Sequence, residues 1–383
     1  MAAKKKKKRK VRTDFRKRRD TRRRQNDLTR KFETDEGEVE NIESGERVSG
    51  KGRLTRRRTV VGNVTETEAG ELVVELDIDP SLCVQGRVIR VHGLESVVRA
   101  TDGTEYLCTI RGILKSLSTD LQHVVVAGDY VTVQPGARPE GESRGQGVIV
   151  RVEPRQNEIS RTSRQKRQII ASNIDLALIV ASAAEPGLKP NLIDRYLVSA
   201  EKSRITPVIV INKVDLVDPA DLQPVISVWS QMGYPVLLTS AETGAGIPRL
   251  RNLVHGKDSV VTGQSGVGKS SILNAIEPGL QLKVSHVSTE NQKGRHTTTT
   301  ACLIPLDCGG HLIDTPGIRQ FQLWDVIPDE LTGYFRDLRP FVDSCRFPDC
   351  THTHEDECGI KWAVADGRVD VRRYESYCQM REE

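Results

Sequence analysis

Apolar and polar positions alternate along this chain in two different rhythms. Between Gly86 and Val152 the apolar runs are short and punctuated by turn signals. They are Arg87–Val91, Ser96–Ala100 before Asp102-Gly103, Glu105–Ile110, Tyr130–Val133 before Gln134-Pro135-Gly136, and Gly147–Val152. Short alternating runs bounded by Gly, Pro and Asp predict about five β-strands, the pattern of a small OB-type β-barrel. Gly136–Gly145 reads as a loop between the last strands, and Arg155–Gln168 as a polar, basic connector.

Beyond the connector the runs become continuous and alternate with helical periodicity. Ile174–Ala181, Pro207–Ile211, Pro235–Thr239, Ser259–Thr262 and His311–Ile313 read as buried strands. Leu192–Ser203, with Asn191 as its N-cap, Asp221–Met232 and Lys269–Ile276 read as helices. Strand–helix alternation predicts a mostly parallel sheet covered on both faces. From about Gly333 the chain turns Cys/His-rich and then helical. The expected division is a charged tail over 1–50, an OB-fold RNA-binding domain over 51–160, an α/β domain over 161–325 and a zinc-binding, mostly helical domain over 326–383.

Charge adds a feature that hydropathy hides. The net charge is +5, yet residues 1–31 hold 17 Lys and Arg against three Asp, so the remainder is acidic. Such a self-repelling run predicts disorder. Glu33–Glu46 follows with seven carboxylates and no base, and either solvates the tail or folds back on it. Lys6–Val11 is like a nuclear-import signal. The whole run reads as a nucleic-acid-binding arm, given the barrel and the Cys/His cluster in the same chain, with a generic charged tail as the alternative. Only Tyr106 and Tyr130 supply aromatics to the barrel strands, so recognition of RNA backbone and shape is expected over base stacking. No apolar run approaches the ~18 residues of a membrane span, and no signal peptide is recognised, so no membrane association is expected.

Three motifs carry nucleotide chemistry. Gly263-Gln264-Ser265-Gly266-Val267-Gly268-Lys269-Ser270, followed by Ser271, is a complete phosphate loop between a predicted strand and a predicted helix. Its glycines let backbone N–H groups close on the β-phosphate. Lys269 would reach the β/γ oxygens and the Ser270 hydroxyl would bind Mg²⁺. Asn212-Lys213-Val214-Asp215 ends a strand, where α/β folds bind ligands. Its Asp215 can accept from guanine N1–H and the exocyclic amine, groups adenine lacks. Thr239-Ser240-Ala241 suits a second base-contacting loop, a backbone N–H meeting guanine O6; alone, the tripeptide is just a turn. Asp314-Thr315-Pro316-Gly317 would bind Mg²⁺ through water at Asp314 and the γ-phosphate at the Gly317 N–H.

Position 318 is Ile, where many G domains carry a water-orienting glutamine. In Lys293–Thr300 (KGRHTTTT) a threonine should bind Mg²⁺, Thr298 in the first instance and Thr297 as the alternative. His296 is the candidate to orient or deprotonate water; the alternative is RNA contact or loop packing. Cys345-x4-Cys350-x-His352-x5-Cys358 offers three thiolates and an imidazole, a closed tetrahedral set for structural Zn²⁺, with His354 as the substitute ligand. Cys83, Cys108, Cys302, Cys308 and Cys378 are isolated and read as packing thiols.

The motifs stand in permuted order, base-reading sequence first and phosphate loop second. With NKVD, GQSGVGKSS, GRHTTT, DTPG and the Cys/His cluster, the chain resembles the RsgA/YjeQ family of bacterial, ribosome small-subunit-dependent, circularly permuted GTPases. The likeness spans roughly residues 84–380, including Asn191–Arg195 (NLIDR); the charged N-terminus departs from it. It implies a multidomain fold of OB-type barrel, permuted α/β P-loop G domain and zinc domain. It also implies slow GTP hydrolysis with Mg²⁺, faster on the small ribosomal subunit, during late maturation of that subunit. His296 matches the family's proposed catalytic histidine. The implied protein is a cytoplasmic monomer whose partners are the small subunit, its rRNA and assembly factors. A nucleotide-responsive RNA-binding scaffold with incidental hydrolysis is the competing reading, and a P-loop ATPase or kinase requires NKVD to be ignored.

Overall fold

The structure, a computed structural model, describes residues 9–14, 57–66, 72–76, 80–110, 124–136, 144–163, 166–281, 301–314 and 326–382. Residues 1–83 and 111–120 form one compact unit, and residues 84–110 and 121–383 the other. In the first, β1 (Arg9–Asp14), β2 (Arg57–Glu66) and β3 (Leu72–Leu76) make an antiparallel sheet. Val11 lies opposite Val60 and Val64 opposite Val74. The expectation of disorder over 1–31 therefore fails at Arg9–Asp14, where Val11 and Thr13 supply the β-branched positions a strand favours. The rest of the basic run and Glu33–Glu46 lie outside the described residues.

The second unit opens with the barrel. Its strands are β4 (Val84–His92), β5 (Glu95–Ala100), β6 (Glu105–Ile110), β7 (Tyr130–Pro135) and β8 (Gly145–Val152). Each pairs with two neighbours, and β4 pairs with both β5 and β7, which closes the ring. Alternation sends Val88, Val98, Cys108, Val131, Val133 and Ile149 inward. Burial there pushes the Cys108 thiol up to about 12, as suits a packing residue.

Arg155–Gln168 is not a plain connector. Glu158–Ser163 (β9) and Lys166–Ser172 (β10) pair as an antiparallel hairpin. Ile159, Ile169 and Ala171 of this hairpin are buried. The composition read as linker while the burial is that of a half-buried ribbon.

The α/β sheet contains β11 (Leu176–Ser182), β12 (Thr206–Asn212), β13 (Val236–Leu238), β14 (Lys257–Thr262), β15 (Cys302–Pro305) and β16 (Gly310–Asp314). Their order is β13-β12-β11-β14-β16-β15, parallel except for β15. All seven residues of β11 are buried. Its Ile179 joins α1 (Pro190–Lys202) and α2 (Gln223–Gln231) in one core with Ile193, Leu197 and Trp229. Leu178 and Val180 face α3 (Ile247–Val254) and α4 (Lys269–Ile276) through Leu250, Ile272 and Ile276. Successive side chains thus feed opposite faces, as a doubly covered sheet requires.

Asn191 is not the N-cap of α1. The helix starts at Pro190, a residue pre-set for the first turn, and Lys189 occupies the cap without a side-chain bond. Asn191 instead bonds Gln379 and Ser376 of the C-terminal helix. That region consists of 3₁₀ turns at Pro328–Tyr334 and Arg339–Ser344, then α5 (Gly359–Ala365) and α6 (Val371–Glu382). Leu331, Phe335, Leu338, Ile360, Ala363 and Tyr377 form its core together with Val198 of α1. Among the described residues no helix is long and apolar enough to cross a membrane.

Candidate functional site

The carboxyl ends of β12, β14 and β16 deliver Asn212, Gly263 and Asp314 to one edge of the sheet, despite the permuted order of the motifs. Where strands sit side by side, spatial convergence does not depend on which loop joins them.

Asn212 organises this edge. It is 2% exposed, its Nδ2 donates to the Val267 carbonyl at 3.0 Å, and its Oδ1 accepts from the Ala241 N–H at 3.2 Å. One side chain so ties the phosphate loop to the loop after β13. A Cβ on Gly268 would lie 2.4 Å from Asn212 Nδ2, and φ there is +89°. Gly263 (φ +141°) runs so close to β11 that a Cβ would meet the Val180 oxygen at 2.0 Å. Neither position accommodates another residue.

Val267 anchors the loop in the core, Ser265 is exposed at its tip, and Gln264 and Gly266 are half-buried. Lys269 Nζ donates to the Gly263 carbonyl at 2.8 Å and the Gln264 carbonyl at 2.6 Å, so its ammonium lies across the loop. Because α4 begins at Lys269, the first-turn N–H groups around Ser270 and Ser271 have no helical partner and could receive an anion.

On the base side, Lys213 is held in left-handed conformation (φ +61°), and its ammonium bonds the Glu185 carbonyl. The Asn212 carbonyl accepts from the Ala183 N–H at 2.8 Å. This loop after β11 was missed by the sequence reading, since it acts through backbone and carries no side-chain signal. Val214 and Asp215 enter a short 3₁₀ turn, and Asp215 is exposed with its carboxylate available. Ser240 is buried; its Oγ accepts from the Thr243 N–H at 3.1 Å and its N–H donates to the Ala245 carbonyl. The edge can thus grip phosphate by backbone, balance its charge with Lys269 and present a carboxylate to a purine. Asp314 closes β16, but its side chain is not described, and His296, Thr297, Thr298 and Gly317 lie outside the described residues.

A second constellation lies in the C-terminal region. One ligand atom each from Cys345, Cys350, His352 and Cys358 falls within 4.8 Å of the others. Cys345 Sγ is 3.9 Å from Cys358 Sγ, and His352 Nδ1 is 3.4 and 3.5 Å from those two sulfurs. Tetrahedral bonds of about 2.3 Å to sulfur put neighbouring sulfurs about 3.8 Å apart, so the set fits zinc. His354 points away, its side chain 79% exposed. His352 (φ +61°) is held by the Tyr374 hydroxyl on its carbonyl at 2.7 Å. Glu355 accepts from the Thr351 and Thr353 N–H groups at 2.7 and 3.1 Å. Burial lowers the His352 pKa, which favours the neutral, metal-binding imidazole.

The RsgA GTPase family matches residues 152–324 of this chain. The small ribosomal subunit biogenesis GTPase RsgA of Thermotoga petrophila is 40% identical over 306 residues, covering 78% of this chain and 96% of that protein. The protein of the same name from Sodalis glossinidius is 38% identical, covering 76% and 84%. The crystal structure of YjeQ from Thermotoga maritima superposes with a TM-score of 0.64 at 37% identity, covering 79% of this chain and 98% of that one. YloQ, a circularly permuted GTPase, superposes at 0.61 with 30% identity, covering 78% and 94%. With the phosphate-loop sequence, the strand that ends in NKVD and the junction between them all inside the matched span, this chain belongs to the RsgA GTPase family and is a GTP hydrolase.

Proposed function

We propose that this GTPase assists late maturation of the small ribosomal subunit, turning over GTP slowly alone and faster when the subunit stimulates it. The observation that carries the reading is kinship over nearly the whole length of relatives named for small-subunit biogenesis. The partners are the small subunit, its rRNA and assembly factors, met by a monomer in the cytoplasm. We assign the division of labour to a tail over 1–50, an RNA-binding barrel domain over 51–160, the GTPase over 161–325 and a zinc-binding domain over 326–383.

In the nucleotide site Asp215 selects guanine, with Lys213, Val214, Ser240 and Ala241 shaping the base pocket. Gly263 to Gly268 supply N–H groups to the phosphates, and Lys269 balances charge on the β- and γ-oxygens. Ser270, Thr298 and Asp314 would hold Mg²⁺, which would supply charge neutralisation at the phosphates. The Gly317 N–H meets the γ-phosphate. His296 orients the attacking water, a role left open by Ile318. Cys345, Cys350, His352 and Cys358 hold Zn²⁺, which fixes the shape of a surface and takes no part in hydrolysis.

The test is GTP turnover with and without purified small subunits. Stimulation supports the reading; its absence favours the RNA-binding scaffold. His296→Ala should lower stimulated turnover by about a hundredfold, the scale of general acid–base assistance, at nearly constant GTP affinity. Equal turnover removes His296 from the mechanism.

A further inference from the structure

Among the described residues, β4 of the barrel pairs with β15 of the GTPase sheet at one register position. In β4, Arg90 lies opposite Cys302 of β15, and on the other side of β15 Cys302 lies opposite Asp314 of β16. Arg90, Cys302 and Asp314 therefore form one cross-strand row, each step about 5 Å. Asp314 starts the DTPG motif, and Cys302 follows the GRHTTTT sequence by one residue. Both sequences that respond to the γ-phosphate thus join the sheet at the row that a barrel residue ends.

The contact along this row is made by side chains as well as backbone. Arg90 Nε and Nη2 donate to Cys302 Sγ at 3.4 and 3.3 Å. Arg90 is exposed on the barrel, and a guanidinium has five N–H donors, so three remain for an incoming phosphate. Three residues earlier on β4, Arg87 fixes the strand by pairing with Asp258 of β14 and donating to the Asn173 carbonyl at 3.1 Å. The strand is held at one point and reaches the row at another.

We propose that Arg90 is a positioning residue for subunit-stimulated hydrolysis: RNA phosphate engaged at Arg90 acts through Cys302 on the strand position of Asp314. This rests on the stimulated reaction proposed above. Cys302→Ala removes the acceptor without touching the exposed guanidinium. It should lower stimulated kcat about fivefold, the range of measured coupling effects, with basal turnover and half-saturation by small subunits unchanged. Cys302→Ser, which keeps an acceptor, should recover most of the stimulation. Arg90→Ala should show the same loss in kcat together with a raised half-saturation. The double variant should be no worse in kcat than either single one.

Wild-type stimulated kcat in both single variants overturns the proposal, as does a loss shared equally with basal turnover. If the parent protein is not stimulated at all, the function proposed above falls, and amide exchange decides the coupling alone. With a non-hydrolysable GTP analogue bound, Arg90→Ala should exchange amides of 302–305 and 310–314 several-fold faster than the parent. Unchanged exchange refutes the row as a physical link.

Discussion

Two modules flank the GTPase sheet and are joined to it by different chemistry. The Cys/His region grips α1 through buried charge. Arg373 and Asp194 are both fully buried, paired at 2.8 Å, and Arg373 also bonds Asp337 twice. Asp194 further accepts from Trp229 Nε1 at 2.8 Å, Ser376 Oγ at 2.8 Å and Arg372 at 3.1 Å. At the barrel an ion pair, Arg87 with Asp258, is joined by a set of backbone and amide bonds. Asn173 Nδ2 donates to the Gly128 carbonyl, and Asn157 exchanges hydrogen bonds with the N–H and carbonyl of Ile174. The first junction should fail as a unit when one charge is removed. The second is spread over several separate bonds, so removing one of them should cost less.

The largest test of this contrast removes the metal. A Cys₃His site of the proposed kind contributes on the order of 10 kcal/mol to folding of its module. Chelation should unfold 326–382 and, because α6 covers Asp194, lower the unfolding midpoint of the GTPase sheet as well. A thermal melt with the sheet unaffected would show that the buried pair does not couple the two. Arg373→Met comes next. It leaves Asp194 buried without its closest cation and should cost about 3–5 kcal/mol in urea unfolding. A cost below about 1 kcal/mol would mean that Arg372 and Trp229 satisfy Asp194 by themselves.

The same contrast explains what could be read from the chain. The phosphate loop and α4 were legible to the residue because backbone conformation dictates glycine at 263 and 268, and the helix must start at Lys269. NKVD and the Cys/His spacing were legible for the same reason, since local geometry dictates local sequence. Arg373 was not, because a buried arginine in VRRYESYC looks like any solvated helix face until Asp194 and Asp337 are brought to it from afar. Asn191 looked like a cap because its alternative partners, Ser376 and Gln379, lie nearly two hundred positions away, at separations of 185 and 188 residues. The hairpin at 158–172 was hidden by its charge. Its inward positions make up a short apolar side, and Ser163 to Lys166 contains no glycine or asparagine to announce a turn.

On the barrel side the effects should be smaller. Asn173→Ala removes donors and acceptors to Gly128 and Gln156 and should cost about 1–3 kcal/mol. Unfolding of the Cys/His region, followed by Tyr377 environment or zinc release, should stay at the parent midpoint. A parallel shift in both would merge the two junctions into one cooperative unit.

The smallest effect concerns acid. Asp258 is buried between Arg87 of β4 and His311 of β16, and its backbone N–H donates to the Asp175 carboxylate at 2.8 Å. Burial works to raise its pKa, but the His311 hydrogen bond and the Arg87 charge outweigh it, so the carboxyl is held below its ordinary value. A carboxyl depressed in the folded state contributes stability that is complete above the ordinary carboxylate range and lost as pH falls toward its folded value. The barrel junction should therefore weaken between about pH 5 and pH 3. Arg87→Met takes away one of the two groups that depress Asp258, so its stability should already be lower at neutral pH and fall less steeply with acid. Urea midpoints at pH 7 and pH 4 read the difference. Parallel decline in parent and variant would show that His311 alone sets the acid response, leaving Arg87 to fix β4 through the Asn173 carbonyl and not through charge.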